Sequence, residues 1–216
     1  MEKRRILCFG DSLTWGFHPV TCERMGEDER WPCVLQNLLG DGFRIIEEGQ
    51  NGRTIATDDF TEGQKNGLKY VIPCLESQKP LDLMIIMLGA NDMKRKFGYS
   101  AADIAGEMEL FLQKVLSFRR FNMDDRMEIM LISPPIVGER GKRSPFEESF
   151  DFENTVLLSS LLTKKYEDIA RKYGCSFLDS SRIVKVSEAD RLHLLPEDQQ
   201  KLGRAVYEAL KSLFSD

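Results

Sequence analysis

Leu83-Met84-Ile85-Ile86-Met87-Leu88 is apolar at every position, so neither face of that stretch tolerates water. It is too short to cross a bilayer and has the length of a strand, which makes it the central, doubly covered strand of a parallel sheet. Extended back to Leu81, it is interrupted only by Asp82. Shorter strand-like runs recur at Ile6–Phe9, Phe43–Ile46, Met127–Ile132 and Ser176–Leu178, the fourth stopped by Pro134-Pro135. Helical spacing fills the intervals. Trp31-Pro32 opens a helix with Val34, Leu35, Leu38 and Leu39 on its apolar face, and Gly40 closes it. Asn66–Gln78 is weakly helical, with Pro73 in an early turn or at a kink. Ser100-Ala101-Ala102-Asp103 has the form of a capping box ahead of the stripe Ile104, Met108, Phe111, Val115, Phe118. Leu158, Leu162, Tyr166, Ile169 and Tyr173 mark another helix, and Pro196 starts the last, with Leu202, Val206, Leu210 and Leu213 facing inward.

Strands that alternate with helices imply right-handed crossovers and a parallel sheet of five strands with helices on both faces. The chain has no repeat and no linker, so one domain over 1–216 is expected. Two irregular stretches, 18–30 and 137–150, are long enough to expect a functional or interfacial use, and the second is a candidate contact for a homo-oligomer.

Charge and cysteine usage narrow the partners. A net charge of −5 gives no electrostatic reason for nucleic acid or an anionic membrane surface. Lys94-Arg95-Lys96 and the stretch Arg140 to Arg143 read as solvated loop charge. The five cysteines (Cys8, Cys22, Cys33, Cys74, Cys175) include no C-x-x-C pair, which suits reduced thiols in a cytoplasmic protein. No His, Cys and carboxylate cluster has metal-ligand spacing, so no metal is expected. Neither nucleotide-binding glycine pattern, G-x-x-x-x-G-K-[ST] or G-x-G-x-x-G after a strand, is present.

Ligands of open parallel sheets bind beyond the carboxyl ends of the strands, and the polar candidates gather there. Gly10-Asp11-Ser12-Leu13 follows the first strand, Asn51-Gly52-Arg53 the second, and Gly89-Ala90-Asn91-Asp92 the third. Asp190-Arg191-Leu192-His193 lies beyond the fifth. A serine hydroxyl needs a base to become a nucleophile, and only two histidines are available, His18 and His193. Asp190, three residues before His193, can orient its imidazole and support the charged form. Ser12, Asp190 and His193 therefore read as the catalytic triad of an acyl-transfer site. Acyl transfer also needs donors aimed at a tetrahedral oxyanion; the N–H groups of Ser12 and Gly52 and the Asn91 side chain can supply them. His18 reads as a loop residue, and Asp11 as the acceptor that fixes the Ser12 turn. Trp15, Phe17, Pro134, Pro135 and Ile136 are the candidate pocket walls.

These four blocks, in this order and spread over nearly the whole chain, resemble the SGNH hydrolases, also called GDSL esterases. Gly10-Asp11-Ser12-Leu13-Thr14-Trp15-Gly16 and Leu83–Gly89 are similar to the arylesterase/acyltransferase subgroup. The resemblance implies a three-layer α/β/α sandwich of flavodoxin-like form, no metal or organic cofactor, and a small-molecule ester as substrate. It implies a serine esterase that cleaves short-chain acyl or aryl esters through an acyl-enzyme, with acyl transfer to alcohols in some members. A Thr or Ser often follows the family's His; here Leu194-Leu195-Pro196 follows His193. A thioesterase or lysophospholipase-like lipase on the same residues, and a non-enzymatic flavodoxin-like binding domain, are the competing readings.

Overall fold

The computed structural model describes residues 3–123, 125–138 and 144–214; the basic stretch Arg140 to Arg143 lies outside them. Its strands are β1 (Arg4–Gly10), β2 (Phe43–Gly49), β3 (Leu83–Met87), β4 (Glu128–Ile132) and β5 (Ser176–Leu178). The helices are α1 (Ser12–Trp15), α2 (Trp31–Leu39), α3 (Gly67–Gln78), α4 (Ala101–Asn122), α5 (Phe152–Tyr173) and α6 (Pro196–Phe214). The strands form one parallel sheet in the order β2-β1-β3-β4-β5. The chain steps outward from β1 to β2, then runs back across to β5. Right-handed crossovers taken in opposite directions place helices on opposite faces. Accordingly α2 packs on α6, while α3 packs on α4 and α4 on α5.

The core follows from the apolar runs. Ile6–Phe9 in β1 and all of β3 are fully buried, as strands with helices on both sides must be. Met108, Phe111 and Val115 turn inward from α4, and Leu202, Val206 and Leu210 from α6. The capping box is present in full: Ser100 bonds the Asp103 N–H while the Asp103 carboxylate accepts the Ser100 N–H. Pro73 sits inside α3, past the first turn. β2 runs three residues beyond the apolar stretch Phe43–Ile46, because Glu47, Glu48 and Gly49 pair with Cys8, Phe9 and Gly10. Glu47 can stay in the sheet because Arg30 meets its carboxylate at 2.8 Å. That extension carries the second polar segment up to the level of Ser12.

Candidate active site

Asp11 leaves β1 and caps α1: its Oδ1 accepts the Leu13 N–H at 2.9 Å. Ser12 is thereby the first residue of a single helical turn that closes at Gly16. The turn folds back on the strand end, where a Cβ on Gly10 would stand 2.1 Å from Thr14 Oγ1 and 2.8 Å from the Met87 carbonyl. Only glycine fits there, which explains the residue two places before the serine. Burial pushes the Asp11 carboxyl up to about 6, against the opposing pull of the Leu13 N–H, His193 and Arg53.

His193 Nε2 lies 2.8 Å from Ser12 Oγ, and His193 Nδ1 lies 2.6 Å from Asp190 Oδ2. A carboxylate only accepts, so Nδ1 carries the proton and the Nε2 lone pair faces the serine hydroxyl. The other Asp190 oxygen accepts the N–H groups of Leu192 and His193, so the carboxylate cannot swing away. The loop is pinned from outside as well. Ser144 Oγ donates to the Asp190 carbonyl at 2.5 Å, and Arg191 Nη2 donates to the Gly138 carbonyl at 3.0 Å. Phe17 and Phe146 flank the imidazole, with ring centroids 4.3 and 5.6 Å away. His18 is elsewhere engaged: its Nδ1 accepts the N–H groups of Val20 and Thr21.

The donors expected to face an oxyanion stand on three neighbouring strand ends. Gly52 turns the chain with φ of 81°, the left-handed region, and a Cβ there would meet Glu62 Oε2 at 2.5 Å. Asn91 opens a short 3-10 turn after β3 and is buried. Its Nδ2 donates to the Arg53 carbonyl at 3.1 Å and lies 3.4 Å from Asp11 Oδ2, which places it between the Gly52 turn and the Ser12 turn. Two charged residues escaped the reading of the sequence. Arg53 is buried, donates to the carbonyls of Gly10 and Glu48, and stacks 4.3 Å over the Phe9 ring, tying the ends of β1 and β2 together. Asp92, fully buried, accepts the Ile55 N–H at 2.9 Å. Their only signal in the sequence is position, each directly following a residue singled out.

Ser12, Gly52 and His193 line one open cavity of about 410 Å³. Phe17, Phe146, Phe150 and Leu192 make its apolar wall; Asn51, Glu62, Lys65 and Lys94 make a polar one. Of the expected pocket residues only Phe17 is on this lining. Trp15 packs against Phe17 and lies under Arg24, Pro134 and Pro135 are buried beyond β4, and Ile136 faces a separate recess with Val184 and Arg191. Residues 144–150 take their place, since the Arg95 N–H holds the Ser149 carbonyl at 2.8 Å and draws that loop over the site. Within the segment Lys94-Arg95-Lys96, Arg95 and Lys96 are exposed, as solvated loop charge should be, and only Lys94 is buried. Lys94 is 5% exposed and ion-pairs with Glu62 and with Asp59, while Lys96 holds Asp59 at 2.5 Å.

Fold and site together define a parallel α/β protein with a Ser–His–Asp hydrogen-bond chain at the carboxyl edge of its sheet. Residues 8–207 match the model of the GDSL-like lipase/acylhydrolase family, and the chain belongs to that family of ester hydrolases. A carbohydrate acetylesterase from Sinorhizobium meliloti is similar at 33% identity and TM-score 0.91, over 98% of this chain and 100% of that one. The M. smegmatis aryl esterase is similar at 35% identity and TM-score 0.90, again over 98% and 100%. An acetylxylan esterase from Xylanibacter ruminicola is 22% identical over 96% of this chain, which spans 43% of that relative's length. The non-enzymatic reading falls with the family match. No described helix is long and apolar enough to cross a membrane.

Proposed function

We propose that the chain is a serine esterase that removes short acyl groups, acetyl above all, from small alcohols or phenols. The observation that carries this is the continuous hydrogen-bond chain from Ser12 through His193 to Asp190. Ser12 Oγ attacks the ester carbonyl as His193 Nε2 takes its proton, and Asp190 supports the imidazolium. The oxyanion is received by the Ser12 and Gly52 N–H groups and Asn91 Nδ2. His193 returns the proton to the departing alkoxide, leaving an acyl-enzyme on Ser12. Water, deprotonated by the same imidazole, then releases the acid.

Substrate size and polarity follow from the cavity. Aromatic rings beside His193 favour a short acyl chain or an aryl group, while Lys94, Lys65 and Glu62 offer hydrogen bonds to a hydroxyl-rich alcohol. The similar carbohydrate acetylesterase and aryl esterase support both alcohol classes. The five cysteines, all free, support a reducing, cytoplasmic setting. A panel of p-nitrophenyl esters of increasing chain length, run on the wild type and Ser12→Ala, tests the reading. We expect kcat/KM to peak at acetate or propionate and to vanish in the variant. A peak at long chains would establish a lipase or lysophospholipase instead.

A further inference from the structure

Asp92 and Glu107 form a second set of carboxyls beneath the site, and the triad does not use them. Asp92 spends Oδ1 on the Ile55 N–H, while its Oδ2 is buried and meets no donor. Glu107, on α4, accepts the Thr57 hydroxyl with Oε1, and its Oε2 is likewise buried without a donor. Asp92 and Glu107 hold residues two apart on one segment, Ile55 and Thr57, which sets the two carboxyls side by side with their donorless oxygens buried. Two ionised carboxylates at that spacing repel strongly away from water, and two acceptors cannot bond. The titratable groups facing the pair are Asp11 from the turn after β1, Tyr166 from α5, and Tyr99, whose hydroxyl is 2.7 Å from Thr57 Oγ1. None of these is a cation that could take the place of a proton.

What the pair holds gives it a use. Arg53, Ile55 and Thr57 are alternate residues of the segment that follows Gly52, and each is gripped in turn. Asn91 takes the Arg53 carbonyl, Asp92 the Ile55 N–H, and Glu107 the Thr57 hydroxyl. We propose that Asp92 and Glu107 share one proton, and that this carboxyl–carboxylate bond is a positioning device that locks the Gly52 segment against Asn91 and so sets the spacing of the oxyanion donors. The role in positioning rests on the reading of Gly52 and Asn91 as those donors; the shared proton does not. Burial holds the Asp92 carboxyl well above the usual carboxylate range, and the neighbouring Glu107 pushes it the same way.

Infrared difference spectroscopy and kinetics on Glu107→Gln and Glu107→Ala test this. At pH 8 the wild-type-minus-Glu107→Gln spectrum should show the carbonyl stretch of one buried protonated carboxylic acid, because a Gln amide donates to Asp92 with no proton needed. Glu107→Gln should keep kcat within about threefold of wild type. Glu107→Ala should lower kcat by about 10- to 100-fold with KM within twofold, approaching the loss of one oxyanion donor. Absence of the acid band overturns the shared proton, whether or not Glu107→Ala folds. Equal kcat in the two variants, or a loss confined to KM, overturns the positioning role. An acid band in an enzyme whose Ser12→Ala variant stays active would instead remove the serine mechanism and leave the pair standing.

Discussion

Ser12 Oγ and His193 Nε2 are 2.8 Å apart across 181 residues of sequence. The contact joins the end of the first strand to the loop before the last helix, so the two side chains meet only when the whole sheet is assembled. His193→Ala should therefore cost nearly as much as Ser12→Ala, since the members of the proposed triad act as a unit. His18→Ala, which removes only a turn acceptor, should stay within about twofold of wild type in kcat/KM. Steady-state rates on p-nitrophenyl acetate decide between them; an exchange of the two phenotypes would misplace the base.

Asn91→Ala should lower kcat by roughly 10²–10³ with KM little changed, the usual result of losing one donor to a developing oxyanion. Separate kcat and KM values on one short ester are enough. A change confined to KM would make Asn91 a ground-state binder.

Asp11→Asn should alter stability with pH in a definite direction. The wild-type carboxyl is raised by burial to about 6 in the folded chain, above its ordinary value. Its contribution is therefore full below about pH 4 and is lost as pH rises through about 6. An amide stays neutral throughout and can still accept the Leu13 N–H. The variant should gain on the wild type by up to about 3 kcal/mol between pH 4 and pH 8, for a shift of about two units. Urea denaturation at both pH values measures this; a constant difference would contradict it.

Lys94→Met should separate the two alcohol classes. It removes the buried cation from the polar wall, while Lys96 still pairs with Asp59 and Glu62. We expect KM for an acetylated sugar to rise about tenfold, the order of one charged hydrogen bond, and KM for phenyl acetate to stay within twofold. Equal effects on both would assign Lys94 to the fold alone.

We propose that an alcohol competes with water for the acyl group once Ser12 carries it, the relative access of the two deciding the split. Phe17, Phe146, Phe150 and Leu192 line the same cavity as Ser12 and should favour an alcohol on that side. Gas chromatography of products from a short-chain ester donor and a primary alcohol in buffer should show the transferred ester. Free acid alone, across a range of alcohol concentrations, would make the chain a plain hydrolase.

Much of this was legible because periodicity and strand-end position are local properties. Apolar runs mark all five strands, and three of the four polar blocks sit at the ends of β1, β2 and β3, while Asp190–His193 comes well after β5 ends at Leu178. β2 read short because Glu47 and Glu48 look unlike strand residues, and the Arg30 pairing that admits Glu47 is tertiary. The pocket wall was illegible for the same kind of reason. Phe146 and Phe150 lie in a stretch without periodicity, and they reach the site through contacts of Ser144 with Asp190 and of Arg95 with Ser149. Lys94 read as surface charge because its partners Asp59 and Glu62 are more than thirty residues away.

The most direct measurement is the site and stoichiometry of covalent labelling by a small alkyl phosphonate, read by peptide mass spectrometry alongside residual esterase activity. One adduct per chain is expected, on Ser12, formed in step with loss of activity and absent from Ser12→Ala and His193→Ala. An adduct on another residue, or full inactivation with Ser12 unmodified, would contradict Ser12 as the nucleophile.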